Sequence, residues 1–371
     1  MILILDIQSS SVRGSLVAGE TSRASSSTRN KTIFEIGIEI PYRVSKDSKT
    51  LTENILEAVK VIVQGIMKDL ILRREKDDLK AKSAKISAVH CVISSPWLIS
   101  QAQIVSTTFK KETKITDKIV DSMLDNKKAK PTLHITEEAH RTGQLKTIEK
   151  KVFSVILNGY PTTAWQNKKA KTLDVSFVVS SASSHFMAQL EEICATVTPG
   201  GSAKNNKNTK FHSSLILHYI ASTNLVPDAA AHVCVHIHNE ITDIISISKT
   251  GNIYFASYPV GLRTIARRIS VAMGVRNHTA ESMLALYADM HLDIAHNRTS
   301  SVIIDKVLQG WSREYHEFLK MAEVPHNSPV HIFVSAEKYP KLFARLMRIP
   351  SSKAKVEPIT EDIYPEAINM L

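Results

Sequence analysis

The chain has little cysteine. Three residues, Cys91, Cys194 and Cys234, are spread over 371 positions, all in apolar stretches. So sparse and odd a set excludes a disulfide scaffold and fits a reduced, cytoplasmic protein with packed thiols. Aromatics are scarce too, at 6%, and they do not interleave with the lysines. Binders of single-stranded nucleic acid need aromatic stacking platforms. The net charge of +11 therefore reads as a lysine-rich solvated surface, with no nucleic-acid partner expected. The lysines gather in loops such as Leu79–Lys85, Asn126–Lys130 and Asn167–Lys171. No apolar run approaches the roughly 18 to 20 residues of a membrane span. The start, MILILDIQSS, lacks a basic n-region, so a signal peptide is not expected. What is present is apolar content of 43% and charge of 22%. That suffices for a sizeable core in two or more lobes and argues against wholesale disorder.

Periodicity places the elements. Residues 2–7, ILILDI, suit a buried strand, the serines at 9–11 a turn, and VRGSLVAG a returning strand. IFEIGIEIPYRV alternates as a third strand. Ile55, Leu56, Val59, Ile62, Val63, Ile66 and Leu70 recur at helical spacing, predicting a helix over 52–73 with Thr50 and Glu53 as a capping box. ISAVHCVISSP reads as a buried strand. Residues 98–185 change in texture: strands around QIVSTTF, KVFSVILNGY and LDVSFVVSS, and a short helix that Thr116 would cap. PGGSAKNNKNTK is a loop. A strand–hairpin–helix order then restarts with AHVCVHI, so a duplicated fold with a cleft is expected. The stripe Leu308, Trp311, Tyr315, Phe318 and Leu319 reads as the core face of a helix.

One strand carries chemistry of its own. In residues 232–243, HVCVHIHNEITD, Val233, Val235 and Ile237 face one way, while His232, Cys234, His236 and His238 face the other. Two imidazoles two residues apart on a strand can share one metal ion. Spacing identifies no third ligand, with His90 and His331 as candidate neighbours. A metal-dependent enzyme is thus one reading; partly buried histidines in an altered loop are the other.

LDIQSSSVRGSLV (5–17) resembles the first phosphate loop of the actin-like ATPases, most of all the FtsA and PilM type. Asp6, Ser9, Ser10 and Arg13 match that pattern, and Gln8 stands where it has glycine. HIHNEITDIISISKTGNIYFASYPVGLRTIARRIS (236–270) resembles the second phosphate loop, keeping Thr242, Asp243, Gly251 and Pro259-Val260-Gly261. Ala280-Glu281 resembles the Ala-Glu pair that follows. FVSAEKYPKL (333–342) sits where the Gly-rich adenosine loop would be. The stretch 98–185 resembles the SHS2-type insert of these proteins. The resemblance implies an α/β, two-lobed actin-like fold, with a first lobe over 1–97, the insert over 98–185, and the rest of the first lobe plus the second lobe over 186–371. It implies ATP with magnesium as cofactor, held by Asp6, Ser9, Ser10, Ser11, Arg13, Thr242, Asp243 and Gly261.

The departures cut against that cofactor. Glycines let backbone N–H groups close around phosphates. Here Gln8, His238 and Asn239 replace them. His236 stands where a magnesium-water carboxylate is expected, and imidazole suits that hard cation poorly. Ser335, Ala336 and Glu337 replace the adenosine loop's glycines, and Glu337 adds negative charge. The set implies weak or lost ATP binding, a pseudo-ATPase; an active ATPase is the alternative. The resemblance further implies a cytoplasmic adaptor at the inner face of the cell membrane, in a cell-division or type IV pilus assembly. Its partner would be a cytoplasmic peptide of a membrane protein or a cytoskeletal filament protein, with self-association a further mode. The acidic end, PITEDIYPEAINML, is not a basic amphipathic membrane helix, so membrane contact would be indirect.

Overall fold

The computed structural model describes residues 1–18, 31–40, 48–75, 85–125, 144–162, 164–198, 208–225, 232–247, 253–289, 298–321, 331–348, 355–359 and 364–369. Residues 79–84, 126–130 and 199–207 of the predicted loops, and Gly251, lie outside them, while Thr209 and Lys210, predicted as the end of a loop, instead open a strand.

The first lobe is a five-stranded sheet of order β3-β2-β1-β4-β9. Its strands are β1 (Ile2–Ile7), β2 (Ser11–Ala18), β3 (Lys31–Glu39), β4 (Ala88–Ile93) and β9 (Thr209–Ser213). β1 is central, antiparallel to β2 and parallel to β4; Leu3, Leu5 and Ile7 pack in one core and Ile4 in another, so both its faces are covered and its sequence is a nearly unbroken apolar run. Helix α1 (Ser48–Glu75) lies on one face, burying Ile55, Val59, Ile62, Ile66 and Leu70. It opens earlier than the predicted 52–73, so Thr50 and Glu53 fall inside the helix rather than at its cap. A Cβ on Gly14 of β2 would sit 2.4 Å from Ile62 Cγ2 and 2.7 Å from Ile66 Cδ1, so glycine is what lets α1 approach.

The second lobe repeats this plan in the order β12-β11-β10-β13-β14. Its strands are β10 (His232–Ile237), β11 (Thr242–Ile247), β12 (Ile253–Tyr258), β13 (His331–Ala336) and β14 (Lys355–Pro358). The expected duplication is thus present strand for strand. Helices α5 (Leu262–Met273), α6 (Asn277–Ala288), α7 (Arg298–Met321) and α8 (Pro340–Leu346) cover it. Leu308, Trp311, Tyr315 and Leu319 of α7 are buried as the stripe predicted, with Phe318 packed partly buried beside them.

Between β4 and β9, residues 98–183 form a separate four-stranded sheet, β5-β8-β6-β7. It comprises β5 (Leu98–Lys114), β6 (Leu145–Leu157), β7 (Tyr160–Thr162) and β8 (Lys169–Ser183), with helix α2 (Asp117–Leu124) on it. Thr116 takes the N-cap position with extended backbone, but its side chain makes no capping bond. Asn158 and Gly159 turn the β6–β7 hairpin at φ 51° and 84°, the Asn-Gly signature of a two-residue hairpin. Helix α3 (Ser184–Ala195) returns the chain to the first core through Phe186, Met187 and Leu190.

Two helices tie the lobes together. Helix α4 (Ser214–Leu225) follows β9 and packs Leu215, Ile216 and Tyr219 against Cys234, Ile245 and Phe333 of the second sheet. Its Leu217 packs the other way, with Ile4, Val17 and Val92 of the first. Helix α9 (Tyr364–Asn369) follows β14 and buries Tyr364, Ala367 and Ile368 in that same cluster. Tyr364, Ala367 and Ile368 of the C-terminal stretch are therefore part of the core. Among the described residues, no helix is long and apolar enough to cross a membrane.

Candidate functional site

The two lobes face each other through equivalent turns. In the β1–β2 turn, Gln8 N donates to Ser11 O at 2.9 Å; in the β10–β11 turn, His238 N donates to Ile241 O at 2.8 Å. Each is a four-residue reversal closing an antiparallel hairpin, so Gln8 corresponds to His238, Ser9 to Asn239 and Asp6 to His236. The predicted candidates other than Gly261, which caps α5, fall on these two turns and their flanks. Asp6 is buried at the end of β1, where its Oδ2 accepts from Gln8 Nε2 at 2.7 Å and lies 3.6 Å from Arg13. Ser11 Oγ donates to Gln8 Oε1 at 2.8 Å. Gln8 therefore knits its own loop together with its side chain, where the family pattern has glycine.

The turns also bond to each other. Asn239 N donates to Ser9 Oγ at 3.1 Å, and Asn239 Nδ2 donates to Ser10 Oγ at 2.5 Å. Asn239 Nδ2 also donates to Glu337, and Ser9 Oγ donates to Glu337 Oε1 at 3.4 Å. At the rim, Lys338 Nζ reaches Glu39 at 3.0 Å and Arg263 donates to the Ile40 carbonyl at 2.7 Å. Where the two turns meet, the cleft is closed by the protein's own side chains.

His238 is the charge centre of this closure. It is fully buried, with Nε2 at 3.2 Å from Asp243 Oδ2 and Nδ1 at 3.4 Å from Glu337 Oε1. Burial lowers its pKa, but the two carboxylates outweigh burial and raise it to about 9. The ring is an imidazolium at neutral pH. Burial would raise Asp243, yet His238, Ser257 and Ser95 hold it below the usual carboxylate range. The neighbouring rings take the opposite state. His236 is pushed well below its ordinary value by burial and by His238, and His218 of α4 is lowered to about 4, chiefly by burial.

Thr242 and Gly261 do structural work. Thr242 Oγ1 donates to the Val260 carbonyl at 2.7 Å. A Cβ on Gly261 would meet His238 O at 2.4 Å and Asn239 O at 2.6 Å. The first N–H groups of α5, on Leu262 and Arg263, donate to those same two carbonyls at 3.0 and 2.8 Å. That helix N-terminus is spent on the turn, not left open to an anion.

The histidines of β10 alternate as predicted, yet each has its own protein partner. His232 stacks on Tyr219. His236 Nδ1 meets Ser335 Oγ at 2.5 Å. His238 holds the carboxylates. Of the two candidate neighbours, His331 pairs across strands with His232, while His90 meets His212 at 3.0 Å within the first lobe. Among the described residues, no three His, Cys, Asp or Glu side chains gather with metal-binding geometry.

Three spaces border the closure. A cavity of about 330 Å³, lined from both lobes, lies over Asp6, Gln8, Arg13, His236, Glu337 and Lys338. Only about 30 Å³ remains between Asn239, Arg263, Glu281, Lys338 and Tyr339, where the Ala280-Glu281 pair meets the third loop. Tyr339 stands there at φ 61°, a left-handed backbone that favours glycine. The third space, about 400 Å³, is a mostly apolar groove between the insert and the second lobe, lined by Leu98, Ile99, Leu215, Ile241 and Phe255. Sequence reasoning did not find His218, Lys338 or Arg263. Their partners lie far away along the chain, and α4 itself was not predicted.

No family model matches the sequence, and no curated protein matches it. Solved structures do. The PilM–PilN type IV pilus biogenesis complex aligns with a TM-score of 0.53 at 12% identity, over 99% of this chain and 89% of the other. A Bacteroides thetaiotaomicron protein of actin-like ATPase fold aligns at 0.42 and 8% identity, over 100% and 95%. The ethanolamine utilization protein EutJ from Carboxydothermus hydrogenoformans aligns at 0.44 and 10%, over 99% and 88%. With its twin sheets and paired hairpin turns, the chain has the actin-like ATPase fold, in an arrangement similar to that of PilM.

Proposed function

We propose that the protein is an actin-fold adaptor that works without nucleotide and docks an extended segment of a membrane-bound partner, in the manner of a pilus or cell-division scaffold. The observation that carries this reading is the bonded meeting of the two turns. Asn239, Ser9, Ser10 and Glu337 bond where the two phosphate-loop turns meet. Beside Glu281 only about 30 Å³ is left, far below the roughly 300 Å³ of a small-ligand site. The 98–185 insert is the docking module of this reading. Its edge strand β5 and the edge strand β12 each have, among the described residues, a hydrogen-bonded neighbour on one side only. The groove beside them is mostly apolar. Free strand edges accept an extended peptide through main-chain bonds, with side-chain pockets adding specificity. PilM was solved as a complex with PilN, which supports a protein partner here by analogy.

The second reading, an active ATPase, draws on the cavity of about 330 Å³ over Asp6 and Arg13. Calorimetric titration with Mg-ATP separates the two. No heat is expected; binding at micromolar affinity would refute the nucleotide-free adaptor. For docking, a photo-crosslinker at Ile99 should capture the cytoplasmic segment of a membrane protein in cells, and one at exposed Val271 on α5 should not. Equal capture at both sites would remove the groove from the proposal.

A further inference from the structure

The two lobes match strand for strand, but one position breaks the symmetry. Ser94, just after β4, donates its N–H to the Ile7 carbonyl at 2.9 Å; Glu337, just after β13, donates its own to the Ile237 carbonyl at 3.0 Å. The first lobe has a short hydroxyl there, bonded locally to Ser214 at 2.8 Å. The second has a carboxylate long enough to cross the cleft.

That carboxylate sits among donors from both lobes. Ser9 Oγ donates to Oε1 at 3.4 Å from the first lobe. Asn239 Nδ2 donates to Oε2 from the second lobe. The His238 imidazolium lies 3.4 Å from Oε1, and the glutamate side chain is 4% exposed. A hydroxyl, an amide and a cation converging on one small anion are the donor set that receives an oxyanion. Here the oxyanion is covalently part of the chain.

We propose that Glu337 is the built-in anion of this interlobe seat, an internal ligand that holds the lobes closed and excludes free phosphate-class oxyanions. This deepens the reading of a cleft that takes no nucleotide and rests on it. The charge count supports exclusion. Asp6, Asp243 and Glu337 face Arg13 and the His238 imidazolium, with Lys338 taken up by Glu39, so three acids against two bases leave a net negative charge, and a phosphate would meet Glu337 at contact in a poorly screened interior. His236 and His218 are neutral and supply no further cation. Removing the carboxylate leaves the serine, the asparagine and the imidazolium facing an empty seat.

The test is tripolyphosphate titration by calorimetry, beside thermal melting, of the full-length wild type, Glu337→Gly and Glu337→Gln. Glu337→Gly should bind at least tenfold more tightly than wild type and melt at higher temperature with ligand. Wild type and Glu337→Gln, whose amide still fills the seat, should stay silent. If Glu337→Gly is silent too, the internal-ligand proposal falls while the nucleotide-free adaptor stands. If wild type binds as well as Glu337→Gly, the proposal falls, and Mg-ATP binding by wild type would take the adaptor reading with it. Should Glu337→Gly not fold, amide exchange of Glu337→Gln decides. Exchange at Ser9, Ser10 and Asn239 at least tenfold faster than wild type, with both sheet cores unchanged, supports the internal ligand; unchanged exchange at those three amides overturns it.

Discussion

At the scale of single residues, the site is a set of opposed protonation states held a few ångströms apart. His238 has its pKa raised to about 9, above the unfolded value near 6.5. Its contribution is fully present below pH 6.5 and is lost as pH rises through 9, on the order of 3 kcal/mol in all. Urea denaturation between pH 6.5 and 10 should therefore show stability falling in wild type and a clearly flatter profile in His238→Gln; equal slopes would refute the ion-paired state. The other buried rings run the opposite way. His90, His212 and His218 are lowered to about 4, 3 and 4, all chiefly by burial. They stabilise the fold above pH 6.5, and that stability drains away as pH falls toward 4 and the unfolded chain takes up protons. Urea midpoints that hold steady from pH 6.5 down to 4 would contradict neutral buried rings. Gly261 answers to sterics alone. In Gly261→Ala the new methyl would press on the carbonyls of His238 and Asn239, which are backbone and cannot swing aside. A loss of about 1–3 kcal/mol is expected, read as a lower melting temperature; an unchanged melt would mean that the turn can shift freely.

At the scale of elements, legibility followed local pattern. The helix stripe of α7 and the alternation of β10 were readable because each depends on neighbours a few residues away. The two helices that tie the lobes together were not. Helix α4, SLILHYIASTNL, buries apolar side chains on opposite faces because both sheets pack on it, so it has no single apolar stripe to find. Helix α9 was hidden by its brevity and by flanking acids. The candidate site was partly legible for the same reason. Two phosphate-loop-like turns could be found by motif, but the Asn239–Ser10 and Ser9–Glu337 bonds join residues hundreds of positions apart. The double-sided packing of α4 has a measurable consequence. Leu217 is fully buried against Ile4 and Val92, so Leu217→Ala should cost about 2–5 kcal/mol. A cost below 1 kcal/mol in chemical denaturation would show that α4 is only a loosely held link.

At the scale of the whole molecule, the question is what makes two lobes behave as one. Two candidates compete: the polar closure around Glu337 and the apolar seam along α4. The closure's hydrogen bonds contribute roughly 1 kcal/mol each in net terms, because water competed for the same groups in the unfolded chain. The seam buries Leu215, Ile216, Leu217 and Tyr219 against both sheets, at roughly 1.5–3 kcal/mol for each large side chain. The seam outweighs the closure. The closure then sets the distance between the turns, and the seam sets cooperativity. Scanning calorimetry should accordingly give one endotherm for both lobes in wild type. Asn239→Ala removes the amide that bonds Ser10 and Glu337, so it should lower the melting temperature and still leave one endotherm. Two resolved endotherms in that variant would reverse the ranking: the polar closure would be coupling the lobes, and α4 would be a tether between bodies that fold separately.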